Sequence, residues 1–214
     1  MIHIQRIEMN MLSENCYILS DDTREAVIVD CGAYYDEDFA AIDDYIQSHQ
    51  LRPVHHLLTH GHFDHVFGAQ YLYEHYGLAP ELSMDDFTTY HEQPQQIQLF
   101  MHRPLPIALP APVALPAHGE YVTFGNHRLR VLATPGHTPG GVCFFMQEED
   151  VLLSGDSLFA GSIGRCDLPR SEPAALPRAL RTHILALPDS VRVYPGHGHD
   201  TTIAHERLCN PYLA

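Results

Sequence analysis

A chain of 214 residues is long enough for one substantial core and short for two ordinary domains with a linker, so residues 1–214 are expected to form a single domain. Its 45% hydrophobic and 18% charged residues are globular proportions and exclude a largely disordered chain. The formal charge of −15 argues against a nucleic-acid partner, because phosphate recognition needs a basic surface.

All twelve basic residues are arginine, which removes Schiff-base and lysine-nucleophile chemistry. Cys16, Cys31, Cys143, Cys166 and Cys209 are scattered and include no C-x-x-C pair. That pattern suits a reducing compartment and excludes a disulfide framework or a cysteine zinc site. The first residues alternate and lack the unbroken apolar core of a signal peptide, and no later run is long enough to cross a bilayer. A cytoplasmic protein with no membrane partner is expected.

In chain order, Ile2–Met9, Asn15–Ser20 and Glu25–Asp30 read as three short strands, with Asp21-Asp22 as a hairpin turn. Phe39, Ile42 and Ile46 recur at helical spacing over residues 36–49, and Pro53 closes that element. Val54–Thr59 is an apolar strand broken by Gly61. Val66, Ala69, Tyr73 and Tyr76 have helical spacing again, ended by Gly77. The proline-rich stretch 93–117 predicts an extended surface loop, with Phe100, Met101 and His102 as a candidate pocket wall.

Glu120–Phe124 and Arg128–Ala133 form a predicted hairpin about Gly125-Asn126; Gly141–Gln147 and Val151–Ser154 form another. Glu172–Leu187 has helical character, although Pro177 demands a first turn near itself or a kink. Val191–Tyr194 is a last strand and Thr201–Leu208 a last helix. Strands thus come in two clusters, each followed by helices. Two sheets packed face to face with helices outside satisfy every apolar face, an α+β arrangement.

Four of the strands end alike. Val54–Thr59 runs into His60-Gly61-His62-Phe63-Asp64-His65, Arg128–Ala133 into Thr134-Pro135-Gly136-His137, Val151–Ser154 into Gly155-Asp156, and Val191–Tyr194 into Pro195-Gly196-His197. Each end carries glycine with a histidine or aspartate, and strand ends along one edge of a sandwich converge in space. Imidazole nitrogens and carboxylate oxygens suit zinc, iron or manganese without any thiolate. Seven donors are too many for one tetrahedral ion but fit two divalent ions sharing a carboxylate. Taken singly, Asp64 also reads as a helix cap, and His137 and Asp156 as turn residues.

These motifs, T-H-x-H-x-D-H (Thr59–His65), T-P-G-H-T-P-G (Thr134–Gly140), S-G-D-S-L-F (Ser154–Phe159) and P-G-H-G (Pro195–Gly198), resemble the metallo-β-lactamase superfamily, and within it the small glyoxalase II-like hydrolases. Gly164-Arg165 and the closing run from Thr201 to Tyr212 are similar to the same subgroup. The resemblance implies a four-layer αββα sandwich. It also implies one metal at His60, His62 and His137, a second at Asp64, His65 and His197, and Asp156 as the bridge. Asp30, in Val29-Asp30-Cys31-Gly32, is implied to support the ligands from behind.

The chain departs from classical glyoxalase II in three places. It stops at Ala214 without the C-terminal helical domain, and it carries Asp167 and His199 where that family places tyrosines. Glutathione recognition is thereby in question, while the metal chemistry is not.

The expected activity is hydrolysis of a small-molecule thioester or ester by a hydroxide bridging two divalent ions, zinc first and iron or manganese as alternatives. Asp64 and Asp156 carry the catalysis, Asp64 doubling as a transient proton acceptor. Arg165 and His199 are candidate substrate contacts, Arg165 equally a salt-bridge partner of Asp167. A thiol of pKa about 8.5 departs without a strong general acid, which disfavours amides. The rival readings are a persulfide dioxygenase with one iron, a lactonase, and an inactive metal-binding module.

Overall fold

The computed structural model describes residues 1–213. Two six-stranded sheets form its centre. The first holds β1 (His3–Met9), β2 (Glu14–Ser20), β3 (Glu25–Val29), β4 (Arg52–Leu57), β5 (Pro80–Leu82) and β6 (Val113–Ala114) in sequence order. The second holds β7 (Tyr121–Phe124), β8 (His127–Ala133), β9 (Val142–Met146), β10 (Val151–Gly155), β13 (Arg192–Pro195) and β14 (Thr201–Thr202). Between β10 and β13 a small hairpin of β11 (Leu158–Phe159) and β12 (Ser162–Ile163) stands apart. Both sheets begin with antiparallel pairs; the first then runs parallel from β3 through β4 and β5 to β6, and the second has one parallel pair, β10 with β13.

The two-residue side-chain period explains the layers. Tyr17 and Leu19, Val27 and Val29, Val122 and Phe124, Leu129 and Val131, Phe144 and Met146, and Val151 and Leu153 fill the space between the sheets. The intervening residues point the other way. Ile18, Ala26 and Ile28 meet Ile42 and Ile46 of α1 (Asp36–Ser48) and Leu72 of α3 (Ala69–Tyr76). Cys143, Phe145 and Leu152 meet Leu176 and Leu180 near α6 (Ala175–Ala179) and Ile203 of α7 (Ile203–Cys209). Strands such as β9, covered on both faces, are therefore apolar throughout. At about 1.5–3 kcal/mol for each fully buried aliphatic or aromatic side chain, these three interfaces carry most of the driving force. The result is the αββα sandwich.

Three expectations need correction. Residues 93–117 do not form a continuous loop: Gln93–Met101 is a helix, α5, and Val113–Ala114 joins the sheet beside β5. Pro94 lies in the first helical turn, where its missing N–H is an orphan in any case. Ile97 is fully buried in one cluster with Phe63 and Phe67, and that burial outweighs the proline signal. Pro53 lies inside β4 and does not precede it; a register shift between Ala26 and Val27 accommodates the lost donor. The helix predicted over Glu172–Leu187 is confined to Ala175–Ala179 and one π-helical turn, Leu180–Ile184, and Pro177 falls in the first turn.

Candidate metal centre

The cluster of four donors comes from the turn after β4. The chain leaves the strand at Leu57 and enters a single helical turn, α2 (Phe63–Val66), at once. This sets His60 and His62 before the helix and Asp64 and His65 on it. The second sheet supplies His137 after β8, Asp156 after β10 and His197 after β13. All seven meet. His60, His62 and His137 form one triad of mutually close donor atoms, and Asp64, His65 and His197 form another; Asp156 groups with His60 and His65.

Asp156 stands between the triads. Its Oδ2 lies 3.6 Å from His137 Nε2, while its Oδ1 lies 3.4 Å from His65 Nε2 and 3.7 Å from His197 Nε2. Asp64 Oδ2 is 3.3 Å from His197 Nε2 and 3.9 Å from His65 Nε2. His62 Nδ1 and His137 Nε2 face each other at 2.9 Å. The crowding depends on glycine at two points. A Cβ on Gly196 would lie 2.4 Å from Asp156 Oδ1 and 2.7 Å from His65 Cε1. Gly155, at φ +47°, turns the chain beside Thr59 where a Cβ would come within 2.3 Å of its Oγ1.

Most of the rings are fixed by the nitrogen that faces away from the centre. Asp30 organises two of them. Its carboxylate accepts the Thr59 N–H at 2.7 Å, the Thr59 hydroxyl at 2.8 Å and His65 Nδ1 at 3.0 Å. Since the only hydroxyl proton of Thr59 goes to Asp30, its oxygen accepts from His60 Nδ1 at 3.0 Å. Both histidines thereby turn Nε2 toward the centre. His137 Nδ1 donates to the Arg165 carbonyl at 2.7 Å, and His197 Nδ1 faces the carbonyls of Leu12 and Ser13 at 3.1 and 3.2 Å.

The electrostatics suit a cation. Burial, with the neighbouring His65, His62 and His137, holds His60 well below the ordinary imidazole range, and burial pushes His62 down to about 3. Both are neutral donors at physiological pH. Burial raises the carboxyls of Asp156 and Asp64, but the surrounding histidines, His65 foremost, outweigh it and leave both ionised. Burial also opposes charge on His65, and Asp156, Asp30 and Asp64 more than reverse that effect. Among the described residues, His60 Nε2, His65 Nε2 and Asp156 Oδ1 are buried without a hydrogen bond, although the last two approach one another as an ion pair. Buried polar atoms rarely go unpaired, and these three all point inward. Imidazoles with two carboxylates are the donor set of zinc, iron or manganese. A divalent ion would take the place of the proton that the carboxylates hold on His65, so the residues present fit a divalent metal centre.

Several supporting residues carried no signal in the sequence. Asp86, fully buried, accepts the Gly61 N–H at 2.7 Å and the Gly140 N–H at 3.0 Å. It ties the first ligand loop to the second, and burial raises its carboxyl despite those bonds. Asn15 donates its side-chain amide to the carbonyls of Pro195 and Gly198 at 3.0 Å each, while its backbone N–H reaches Gly196 at 2.7 Å. Glu14 lies beneath His65 at 3.9 Å and accepts the Gly32 N–H at 3.0 Å. Burial pushes its carboxyl well up. These are single polar residues in unremarkable surroundings, and only their long-range partners reveal them.

Of the remaining candidates, Arg165 borders the cleft above the donor cluster, and its guanidinium is held by Asp167 in two bonds of 3.0 Å. His199 is exposed and is not among the cleft-lining residues, so the structure gives it no place against a substrate. Cys166 is partly buried and donates to the Gly164 carbonyl, and Phe67 packs on Tyr34 and Phe63 away from the cleft.

The chain belongs to the metallo-beta-lactamase superfamily, whose family model matches residues 9–197. A curated relative, the hydroxyacylglutathione hydrolase GloC of Haemophilus influenzae, is 33% identical over 99% of this chain and 98% of its own length. Among solved structures, the B3 metallo-beta-lactamase BLEG-1 is similar at a TM-score of 0.90, with 34% identity over 99% of this chain and all of that one. TTHA1623 in a di-iron-bound form is similar at a TM-score of 0.86, with 36% identity over 98% of this chain and all of that one.

Proposed function

We propose that this chain is a binuclear metal-dependent hydrolase of thioesters or esters, a single catalytic domain resident in the cytoplasm. One ion is held by His60, His62 and His137, the other by Asp64, His65 and His197, and Asp156 spans them. The observation that carries this reading is the convergence of seven donors into two triads about one carboxylate whose Oδ1 faces both His65 and His197 without a hydrogen bond. Two divalent ions bound there supply a hydroxide from water at near-neutral pH and polarise the substrate carbonyl. The chain's own residues do the rest. Asp30, Thr59 and the Arg165 carbonyl hold three imidazoles in the tautomers that leave Nε2 free. Asp64, whose Oδ2 lies 3.3 Å from His197 Nε2, would serve as a metal ligand first and as a transient proton acceptor second.

The substrate class follows from the leaving group. A thiolate of ordinary pKa about 8.5 departs unaided, whereas an amine needs a proton. Arg165, the one arginine that lines the cleft among the described residues, is engaged by Asp167. GloC supports the thioester reading by its name, while BLEG-1 favours a β-lactam amide as the second substrate class. The di-iron form of TTHA1623 keeps iron beside zinc among the candidate metals. Five cysteines, free among the described residues, agree with a reducing compartment.

Metal analysis of protein purified without added ions, combined with thioester, lactone and β-lactam assays, tests the proposal. Two equivalents of metal with thioester or ester turnover is the expected result. One iron per chain with oxygen consumption on a persulfide replaces the hydrolase with a dioxygenase. Metal without turnover of any of these substrates leaves only a binding module.

A further inference from the structure

The cleft above the metal centre has a volume of about 360 Å³, within the range of small-molecule sites. Its floor is polar: His62, Asp64, His137, Asp156 and His197. Its walls are not. Leu12, Phe63, Phe100, Phe159, Ile163 and Leu168 line them, drawn from the β1–β2 turn, α2, α5, the β11–β12 hairpin and the segment that follows it. Phe63 and Phe100 face one another at 5.6 Å between ring centroids and form a continuous aromatic side. A side pocket shares His62, Phe100 and Leu168 with this cleft and adds Gln95, Gln96 and the Glu92–Arg170 pair.

The charges at the mouth are already matched. Arg165 is bound by Asp167 through two bonds, and Arg170 by Glu92 through bonds of 2.7 and 2.8 Å. Among the described residues no other arginine lines either pocket, and the chain has no lysine. These pairs are exposed, Arg165–Asp167 at 63% and 70%, and are weak. An anionic carrier such as glutathione therefore keeps its carboxylates in water at the mouth and gains no unengaged guanidinium there, on a chain of net charge −15. An apolar acyl group meets the opposite situation, since the walls offer it area and ask for no charge.

We infer that the cleft is selective for an apolar acyl group on an uncharged thiol or alcohol, and that Phe63, Phe100 and Leu168 set this selectivity while the Arg165–Asp167 pair gives anionic carriers no added affinity. The inference deepens the hydrolase reading and rests on it for turnover, but not for binding.

The test uses the metal-loaded protein with two probes. The first is a set of N-acetylcysteamine thioesters from acetyl to octanoyl, compared with S-lactoylglutathione. The second is calorimetric binding of the matching straight-chain carboxylates. Each added methylene is expected to raise kcat/KM, and carboxylate affinity, by about fourfold until the wall is filled. S-lactoylglutathione is expected to be poorer than the hexanoyl ester. Phe100→Ala is expected to flatten the chain-length slope. Asp167→Ala, which frees Arg165, is expected to raise the glutathione thioester severalfold while the slope persists.

Preference for S-lactoylglutathione, or a flat chain-length series in both probes, overturns the inference and leaves the hydrolase standing. No turnover of any thioester, with binding still graded by chain length, sinks the hydrolase reading and supports the cleft assignment.

Discussion

The two sheets deliver similar donors to one centre by different means. The first sheet gives four, His60, His62, Asp64 and His65, from one turn after β4. Two of these imidazoles are fixed by local side chains, Thr59 and Asp30, within the same sheet. The second sheet gives three, each from its own strand end, and backbone carbonyls fix two of them. His197 even relies on the other sheet, since Leu12 and Ser13 belong to the β1–β2 turn. The difference teaches that a compact donor cluster needs only a local frame, whereas dispersed donors need the whole fold. The centre is complete only when both sheets are in register.

The largest expected effect falls where the two contributions meet. Asp156→Asn keeps the volume but removes the charge that faces both triads. We expect kcat/KM to fall roughly 10³-fold, about 4 kcal/mol of transition-state stabilisation, with both ions bound more weakly. Steady-state kinetics and metal stoichiometry on the same preparation decide it. Loss of one ion alone would show that Asp156 serves a single triad and that the two contributions are separable.

Next is the local frame of the first sheet. Asp30→Asn replaces one carboxylate oxygen that fixes Thr59 and His65 with an amide donor, which faces two groups that themselves donate. Removing such a supporting partner typically costs about 10–100-fold in metal affinity or activity. Competition with a chelator measures it. The ion at Asp64, His65 and His197 and the ion at His60, His62 and His137 should both weaken, because Asp30 reaches one histidine of each. An unchanged affinity would mean that packing alone orients the rings.

Asn15→Ala probes the dispersed side. It leaves the carbonyls of Pro195 and Gly198 without their amide partner, and it loosens the turn that carries His197. Lost hydrogen bonds to buried groups cost about 1–3 kcal/mol. Stepwise metal titration is expected to show one ion weakened severalfold and the other retained. Equal weakening of both would contradict a turn that acts on His197 alone.

What the sequence disclosed follows the same division. The six-residue run from His60 to His65 is conspicuous because three histidines and an aspartate in one turn have no economical structural use. His137, Asp156 and His197 were legible only as a repeated pattern of strand ends, glycine beside a donor. Asp86 and Asn15 were invisible, since the partners that tie them to the site lie 25 to 183 residues away. The alternating strands showed the layers well, as inner and outer faces differ by one residue. The helix at Gln93–Met101 escaped because proline statistics speak before burial does. Ile97 earns its helical position only once Phe63 and Phe67 are in place.

The smallest effect on the centre comes from a residue only four positions before it. His56 lies on β4 next to Leu57, but Leu57 fills the space between the sheets and His56 therefore points to the helical side. It is completely buried, and neither ring nitrogen has a hydrogen-bond partner. Burial pushes it from 6.5 down to about 3. The unfolded chain takes up this proton near pH 6.5, while the folded chain refuses it until about pH 3. The unfolded state therefore binds more protons in that window, and the contribution of His56 to stability declines as pH falls through it. His56→Leu removes both the unsatisfied nitrogens and this acid sensitivity. A gain of roughly 1–3 kcal/mol is expected near neutral pH, and a larger one near about pH 5, in urea unfolding of the two proteins side by side. Metal content and kcat should not change, because the side chain lies on the far face of the strand from the ligands. A variant that loses metal, or whose advantage shrinks in acid, would show that the two faces of β4 are coupled after all.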